Sequence, residues 1–325
     1  MKKFLILCFI SLSLFADGKV VGGILHEMPD WFKQSFLEIE EDIAEATADN
    51  KHIMLFLHLN ECPYCSTMVD DLDENKQRVS RDFDVIAINI KGDKEIEMNE
   101  METLSEREMA TMLGVKYTPT IVFLSKNNEI VARTNGYRKP QDFAKVMDFV
   151  KGKYYLKTNF AEYKSNLQVA ANYEFIANDN FKNITDLSKI KTPLAIIFEG
   201  KDCIDCEYFH TTTLKNDLIK KEFSAYNIVR FDASSDKEII SPSGEKMSIK
   251  DFAKKLQIAY KPSVILFNNN EEKLRIDGFL YSWHFSEALR FVAKNLAEKF
   301  ASYGQYLGFR QQELTKQGID INIAN

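Results

Sequence analysis

Two Cys-x-x-Cys pairs, each followed at nearly the same distance by an X-Pro strand, constrain this chain more than any other feature. Cys62-Pro63-Tyr64-Cys65 follows the apolar run Ile53-Met54-Leu55-Phe56-Leu57, and Cys203-Ile204-Asp205-Cys206 follows Leu194-Ala195-Ile196-Ile197-Phe198. In both halves a second apolar run opens at a proline: Thr118-Pro119-Thr120-Ile121-Val122-Phe123 and Lys261-Pro262-Ser263-Val264-Ile265-Leu266-Phe267. The first cysteine precedes that proline by 57 positions in one copy (62 to 119) and by 59 in the other (203 to 262). A dithiol at a strand-to-helix turn with a distant X-Pro strand is the arrangement of thiol–disulfide exchange. Its double occurrence makes chance a poor explanation.

The 325 residues suit about two domains, and 45% hydrophobic with 28% charged residues lets each half bury its own core. The start reads as an export signal: Lys2 and Lys3, the apolar run Phe4 to Phe15, then Ala16 before Asp17-Gly18. That run is about half the ~20 residues a bilayer span needs, so cleavage near Ala16 is expected and residues 1–16 form a signal peptide. Cys8 follows Leu7 inside the apolar run, which argues against a lipoprotein. Cleavage takes the net charge from −6 to −8 by removing two lysines, and it leaves only the four paired cysteines. This is not a disulfide-stapled scaffold. The acidity argues against nucleic acid or an anionic membrane surface as main partner and leaves other exported proteins.

Elements follow the same order twice. The apolar period of Phe32, Phe36, Ile39, Ile43 and Ala46 predicts a helix over 30–48. A strand at 51–59, a helix from Pro63, a strand at 83–90 and a helix at 105–113 follow, then strands 119–125 and 129–135 and a helix at 140–150. The second half predicts strand 193–199, helix 204–221, strand 225–232, helix 248–257, strands 263–268 and 272–277, and helix 284–299. Ser105 and Ser248 stand fourteen residues before their prolines, and Gly136 corresponds to Gly278. The divisions are therefore 17–152, a helical connector at 153–190, and 191–325 with a C-terminal accessory helix.

The strand–helix–strand then strand–strand–helix order around Cys-x-x-Cys resembles the thioredoxin superfamily. The resemblance implies an α/β chain of two tandem thioredoxin folds, each a mixed sheet flanked by helices, with accessory helices after each. Pro29-Asp30-Trp31-Phe32, the CPYC motif and the inserts after the second strand of each half are similar to periplasmic double-domain thioredoxin-like proteins of the SoxW type. CPYC with Thr118 before Pro119 also resembles Dsb-type disulfide isomerases and reductases. The resemblance implies a cis-proline at Pro119, with Thr118 as the client contact. It also exposes a departure: the buried Asp that thioredoxin keeps six residues before its first cysteine is Phe56 here and Ile197 in the second half.

Cys62, at a helix start, faces unpaired N–H groups that favour thiolate, and is expected to be the exposed nucleophile. Cys65, one turn in, resolves the mixed disulfide. Tyr64 offers an aromatic wall to a docking peptide. Glu61 opposes the helix field, and a charged His58 would offset it, although a strand-end histidine without a role is the simpler reading. Around the second pair, Asp202, Asp205 and Glu207 outweigh Lys201, with Lys261 within possible reach. This predicts a higher thiol pKa at Cys203 than at Cys62. The catalytic set is thus Cys62, Cys65, Cys203 and Cys206, and the substrate-binding set Thr118, Pro119, Tyr64, Lys261 and Pro262. The inserts 91–104 and 233–247 are expected to border the two sites.

The expected activity is an exported thiol–disulfide oxidoreductase, a protein-disulfide reductase or isomerase needing no cofactor. Its partners would be exported disulfide-containing clients and a membrane reductase that supplies electrons. A non-catalytic binding or adaptor module is the alternative. Zinc fits poorly, because 138 positions separate the pairs (65 to 203). Copper handling would draw on Met98, Met101, Met109 and Met112, but methionines at helical spacing are commonly core.

Overall fold

The structure is a computed structural model that describes residues 17–99, 101–167, 173–203, 205–278 and 280–324. The signal-peptide reading of 1–16, with Cys8 and Ala16, and the side chain of Ile204 lie outside the described residues.

In chain order the first half contains β1 (Val20–Val21), α1 (Ile39–Ala48), β2 (His52–His58), α2 (Pro63–Glu74), α3 (Lys76–Asp82) and β3 (Phe83–Asn89). Then come β4 (Glu95–Asn99), β5 (Glu102–Ser105), α4 (Glu106–Met112), β6 (Thr120–Leu124), β7 (Ile130–Asn135), α5 (Pro140–Lys151) and α6 (Phe160–Ser165). The second half contains β8 (Leu194–Glu199), α7 (Cys206–Thr211), α8 (Asp217–Phe223), β9 (Asn227–Asp232), β10 (Glu238–Ile240), β11 (Lys246–Ser248) and α9 (Ile249–Lys255). It ends with β12 (Ser263–Asn268), β13 (Glu271–Ile276), α10 (Ser282–Ala293), α11 (Tyr303–Lys316) and β14 (Ile321–Asn322).

Each half builds a four-stranded mixed sheet, ordered β3-β2-β6-β7 and β9-β8-β12-β13. The central strand runs parallel to its β3 or β9 neighbour and antiparallel to β6 or β12. Covered on both faces, β2 and β8 are buried at every residue, which is why they read as continuous apolar runs rather than alternations. Alternate residues still divide between two cores. Met54 and Phe56 face the layer holding Cys62, Cys65, Val146 and Phe149, whereas Ile53, Leu55 and Leu57 face Ile39, Ile43 and Ile96. The hairpins after β6 and β12 turn on asparagines at positive φ, Asn128 in one and Asn269 and Asn270 in the other.

Four expectations are corrected. The helix expected from residue 30 starts only at Ile39: Leu37 adopts φ 67°, Phe36 is 92% exposed, and Phe32 reaches the core from irregular chain. The single helix expected at 204–221 is α7, a 3₁₀ turn at Thr213–Lys215 and α8, with Asn216 capping the last piece through Leu218 N–H. The helix expected at 284–299 stops at Ala293, where Asn295 turns left-handed. Among its described residues the connector 153–190 is helical only at Tyr154–Leu156 and Phe160–Ser165; its described end runs extended, bridging Phe181 to Ile228 and Asp186 to Ile240.

The inserts form the hairpins β4–β5 and β10–β11. Ile96 and Ile239 are buried in the cores on the sheet faces opposite the cysteines, so the hairpins cover those faces rather than the dithiols. The starts of both inserts near the sites: Asn89 Nδ2 donates to Asn60 Oδ1 before the first hairpin, and Ala233 N–H donates to Glu199 C=O at 2.9 Å before the second.

The halves interlock through the residues two before each proline. Tyr117 is buried in the second domain's core, at 5.6 Å from the Tyr303 ring, and Tyr260 is buried in the first domain's core, at 5.9 Å from the Phe160 ring. Arg138, 3% exposed, lies over the Tyr260 ring at 3.9 Å and pairs with Asp277 at 3.5 Å. At the termini β1 and β14 pair in parallel.

Candidate active sites

In the first domain β2 delivers the chain to Cys62, which is the N-cap of α2, and Pro63 begins the helix. The first helical N–H groups have no partner within the helix. One of them, Cys65 N–H, donates to Cys62 Sγ at 3.1 Å. This is the contact that favours a negative sulfur. Cys62 and Cys65 are joined by a disulfide with Cα atoms 5.1 Å apart. Cys65 is fully buried and Cys62 is 7% exposed. The sulfur expected to be the exposed nucleophile is therefore largely covered. Next to it, Glu61 is exposed and forms a bridge with Leu25 of the N-terminal segment.

The same segment sets His26 against His58, ring centroids 5.3 Å apart. Burial, then neighbouring His26, lowers His58 to about 4. A neutral His58 supplies no charge to offset Glu61, in line with the simpler reading of this histidine.

The second site repeats the plan with different neighbours. Cys203 and Cys206 form a disulfide with Cα atoms 5.5 Å apart, Cys206 fully buried and Cys203 5% exposed. Cys203 N–H donates to Gly200 C=O at 2.9 Å, and Cys206 starts α7. Two of the three acidic neighbours are paired. Lys261 Nζ donates to both oxygens of Asp202 at 2.7 and 2.8 Å, and Lys139 of the first domain reaches Asp205 at 2.5 Å. Glu207 and Lys201 are exposed.

The Thr118–Pro119 and Lys261–Pro262 peptide bonds are cis. Pro119 is buried beside half-buried Thr118, and Lys261 and Pro262 are both half-buried. Tyr64 lies between two rings, Tyr137 at 5.4 Å and Tyr281 of the second domain at 4.1 Å, both nearly parallel to it. Tyr64, Lys261 and Pro262, expected to bind substrate, thus line one interdomain cleft of about 200 Å³. Thr118 and Pro119 are not among its walls.

Several site residues were missed from sequence. Glu199, fully buried, ends β8 four residues before Cys203, the place His58 takes before Cys62. It shares a 2.6 Å hydrogen bond with His210 Nε2 and accepts from Tyr173 Oη at 3.1 Å. An acidic residue closing an otherwise apolar strand was the available signal. Lys139 and Tyr281 carried none, because their contacts cross between domains. Met109 is buried in the core with Ile96, Met98 of β4 packs against that core, and Met101 and Met112 are exposed. Among the described residues no group of three His, Cys, Asp or Glu side chains is disposed to hold a metal.

A family model described as a thioredoxin-like domain matches residues 39–151 and again 181–293. Among solved structures the chain is similar to a thioredoxin-fold protein from Helicobacter pylori, with 26% identity over 34% of this chain and 75% of that one, TM-score 0.32. It is also similar to a poplar thioredoxin h, with 16% identity over 34% and 87% of the chains, TM-score 0.27. A disulphide isomerase from Xylella fastidiosa aligns at 16% identity over 40% and 96%, TM-score 0.26. No curated protein matches the chain.

Proposed function

The chain belongs to the thioredoxin-like domain family and carries that domain twice; from this premise we propose that it is an exported thiol–disulfide oxidoreductase acting on protein disulfides. The observation that carries the reading is the first site's geometry: an N-cap cysteine whose sulfur accepts a helix N–H, bonded to a buried partner one turn on. In the reduced enzyme, Cys62 thiolate attacks a client disulfide, forms a mixed disulfide and expels the client's other sulfur, which takes up a proton. Cys65 then loses its proton and attacks Cys62 Sγ, closing the pair and releasing the second client thiol. Two electrons pass from the pair to the client, with one proton from Cys65 and one from solvent. For isomerisation a client thiol makes the second attack, and the pair ends reduced.

Thr118 and Lys261, ahead of their prolines, are the proposed backbone contacts for a client strand. The export reading rests on the sequence of residues 1–16, and among the described residues no helix is long and apolar enough to cross a membrane. Outside the cytoplasm, electrons would come from a membrane reductase. Likeness to SoxW-type proteins belongs to the same proposal.

The test is substitution of each cysteine. Cys62→Ser should abolish exchange at the first pair, and Cys65→Ser should accumulate mixed disulfides with clients. A Cys62→Ser protein that reduces insulin at the wild-type rate through its second pair would move the activity to Cys203 and Cys206. The four-cysteine serine variant retaining that rate would end the oxidoreductase reading.

A further inference from the structure

Each domain contacts the other's Cys-x-x-Cys motif, and the contacts are reciprocal residue by residue. Tyr64 and Asp205 hold the same position, directly before the second cysteine of each pair. Lys139 and Tyr281 also hold matching positions, directly before the last helix of each domain's sheet, three residues after Gly136 and Gly278. Tyr281 stacks on Tyr64 with centroids 4.1 Å apart and planes 8° from parallel, and Lys139 ion-pairs with Asp205. The same position in either domain thus reaches across to the same position in the opposite motif. The backbones also meet closely there. A Cβ on Gly278 would stand 2.6 Å from the Asn135 carbonyl oxygen and 1.9 Å from Arg138 Nη1.

The consequence is restricted access. Cys62 and Cys203 are 7% and 5% exposed, and the cleft of about 200 Å³ between Tyr208, Tyr281 and Pro262 is lined by Tyr64 and Asp205 of the two motifs rather than by the cysteines themselves. That space holds a few side chains of an extended segment. It does not admit the surface of a folded protein. The two crossing contacts sit at the rim, with Tyr281 half-buried and the Lys139 side chain 48% exposed. The deeper anchors Tyr117, Tyr260 and Arg138 are buried, so the rim can part while the domains stay joined.

We propose that Tyr281 and Lys139 are specificity-determining residues that favour small and flexible disulfides over disulfides in folded proteins, Tyr281 at Cys62–Cys65 and Lys139 at Cys203–Cys206. The inference rests on the oxidoreductase reading. It differs from a merely structural role in its readout, which is a ratio between two substrates.

The experiment uses the full mature chain with one pair converted to serines and dithiothreitol as the source of electrons. For each single-pair protein, kcat/KM is measured for oxidised glutathione and for insulin. With the first pair alone, Tyr281→Ala should raise the insulin-to-glutathione ratio at least fivefold, and Tyr281→Phe should keep the parent ratio. With the second pair alone, Lys139→Ala should raise the ratio and Lys139→Arg should not. Circular dichroism and a thermal melt on each variant exclude unfolding as the cause. A ratio unmoved in folded Tyr281→Ala and Lys139→Ala proteins overturns the inference. If instead the parent proteins reduce neither substrate although dithiothreitol opens their disulfides, the oxidoreductase reading itself fails, and this inference with it.

Discussion

Charge beside a thiol acts through the partner it has already found. Counting residues around the second pair gives three acids against Lys201, and from that count Cys203 is expected to titrate above Cys62. The structure narrows that expected gap, because Lys261 takes Asp202 and Lys139 takes Asp205. Lys261→Met frees the Asp202 carboxylate and should raise the Cys203 thiol pKa. Alkylation rates against pH, in protein carrying only the second pair, read this directly, and an unmoved midpoint counts against the pairing. The histidines make a separate prediction. Burial lowers His52, His58 and His284 to about 4 from an ordinary 6.5. Between those values the unfolded chain binds protons that the folded chain does not, so stability is full above pH 6.5 and falls as pH drops toward 4. Each histidine contributes a slope of up to about 1.4 kcal/mol per pH unit. Asp42 and Asp71, raised chiefly by burial, act in the opposite sense but closer to the carboxylate range. Urea midpoints at pH 7 and pH 5 should therefore differ, with the pH 5 value lower, and His58→Phe should lessen the difference. Equal midpoints would contradict the buried neutral state.

Elements were legible where local chemistry decides them. Ser105 shows why: its hydroxyl accepts from Glu108 N–H while Glu108 accepts from Ser105 N–H, a capping box contained within four residues. Ser248 repeats the cap through Asp251 N–H. The runs ending at His58 and Glu199 were legible as strands because burial on both faces demands unbroken apolar character. Illegible elements depend on what lies across from them. Phe36 fits a helical period with Phe32 and Ile39, yet the positive φ at Leu37 turns it out to solvent. The hairpin β4–β5 follows a strand's carboxyl end, the position expected to border the dithiol, whereas Ile96 plugs the core on the far face. Ile96→Ala should accordingly cost about 2–4 kcal/mol. Exchange kinetics of the surviving folded protein should match the parent. Chemical denaturation checks the first point and insulin reduction the second; a kinetic defect without a stability loss would return the hairpin to the active site.

At the scale of the whole molecule, the joining of the domains is what the sequence conceals. Tyr117 and Tyr260 read as ordinary residues ahead of a proline, because their partners lie in the opposite domain, near Tyr303 and Phe160. Each is buried in a core that its own domain does not form. Truncating a buried aromatic costs about 3–5 kcal/mol, and here that loss falls on the contact that couples the two cores. Intact protein should therefore melt in one transition, and Tyr117→Ala with Tyr260→Ala should separate it into two. Tyr117→Phe is the control. The Tyr117 hydroxyl is buried with no hydrogen-bond partner among the described residues, so removing it deletes an unmet polar group and should leave stability equal or higher. Differential scanning calorimetry distinguishes the outcomes. A double alanine variant that still melts cooperatively, at an unchanged temperature, would mean that Arg138 with Asp277 and the paired termini hold the domains together without the tyrosines.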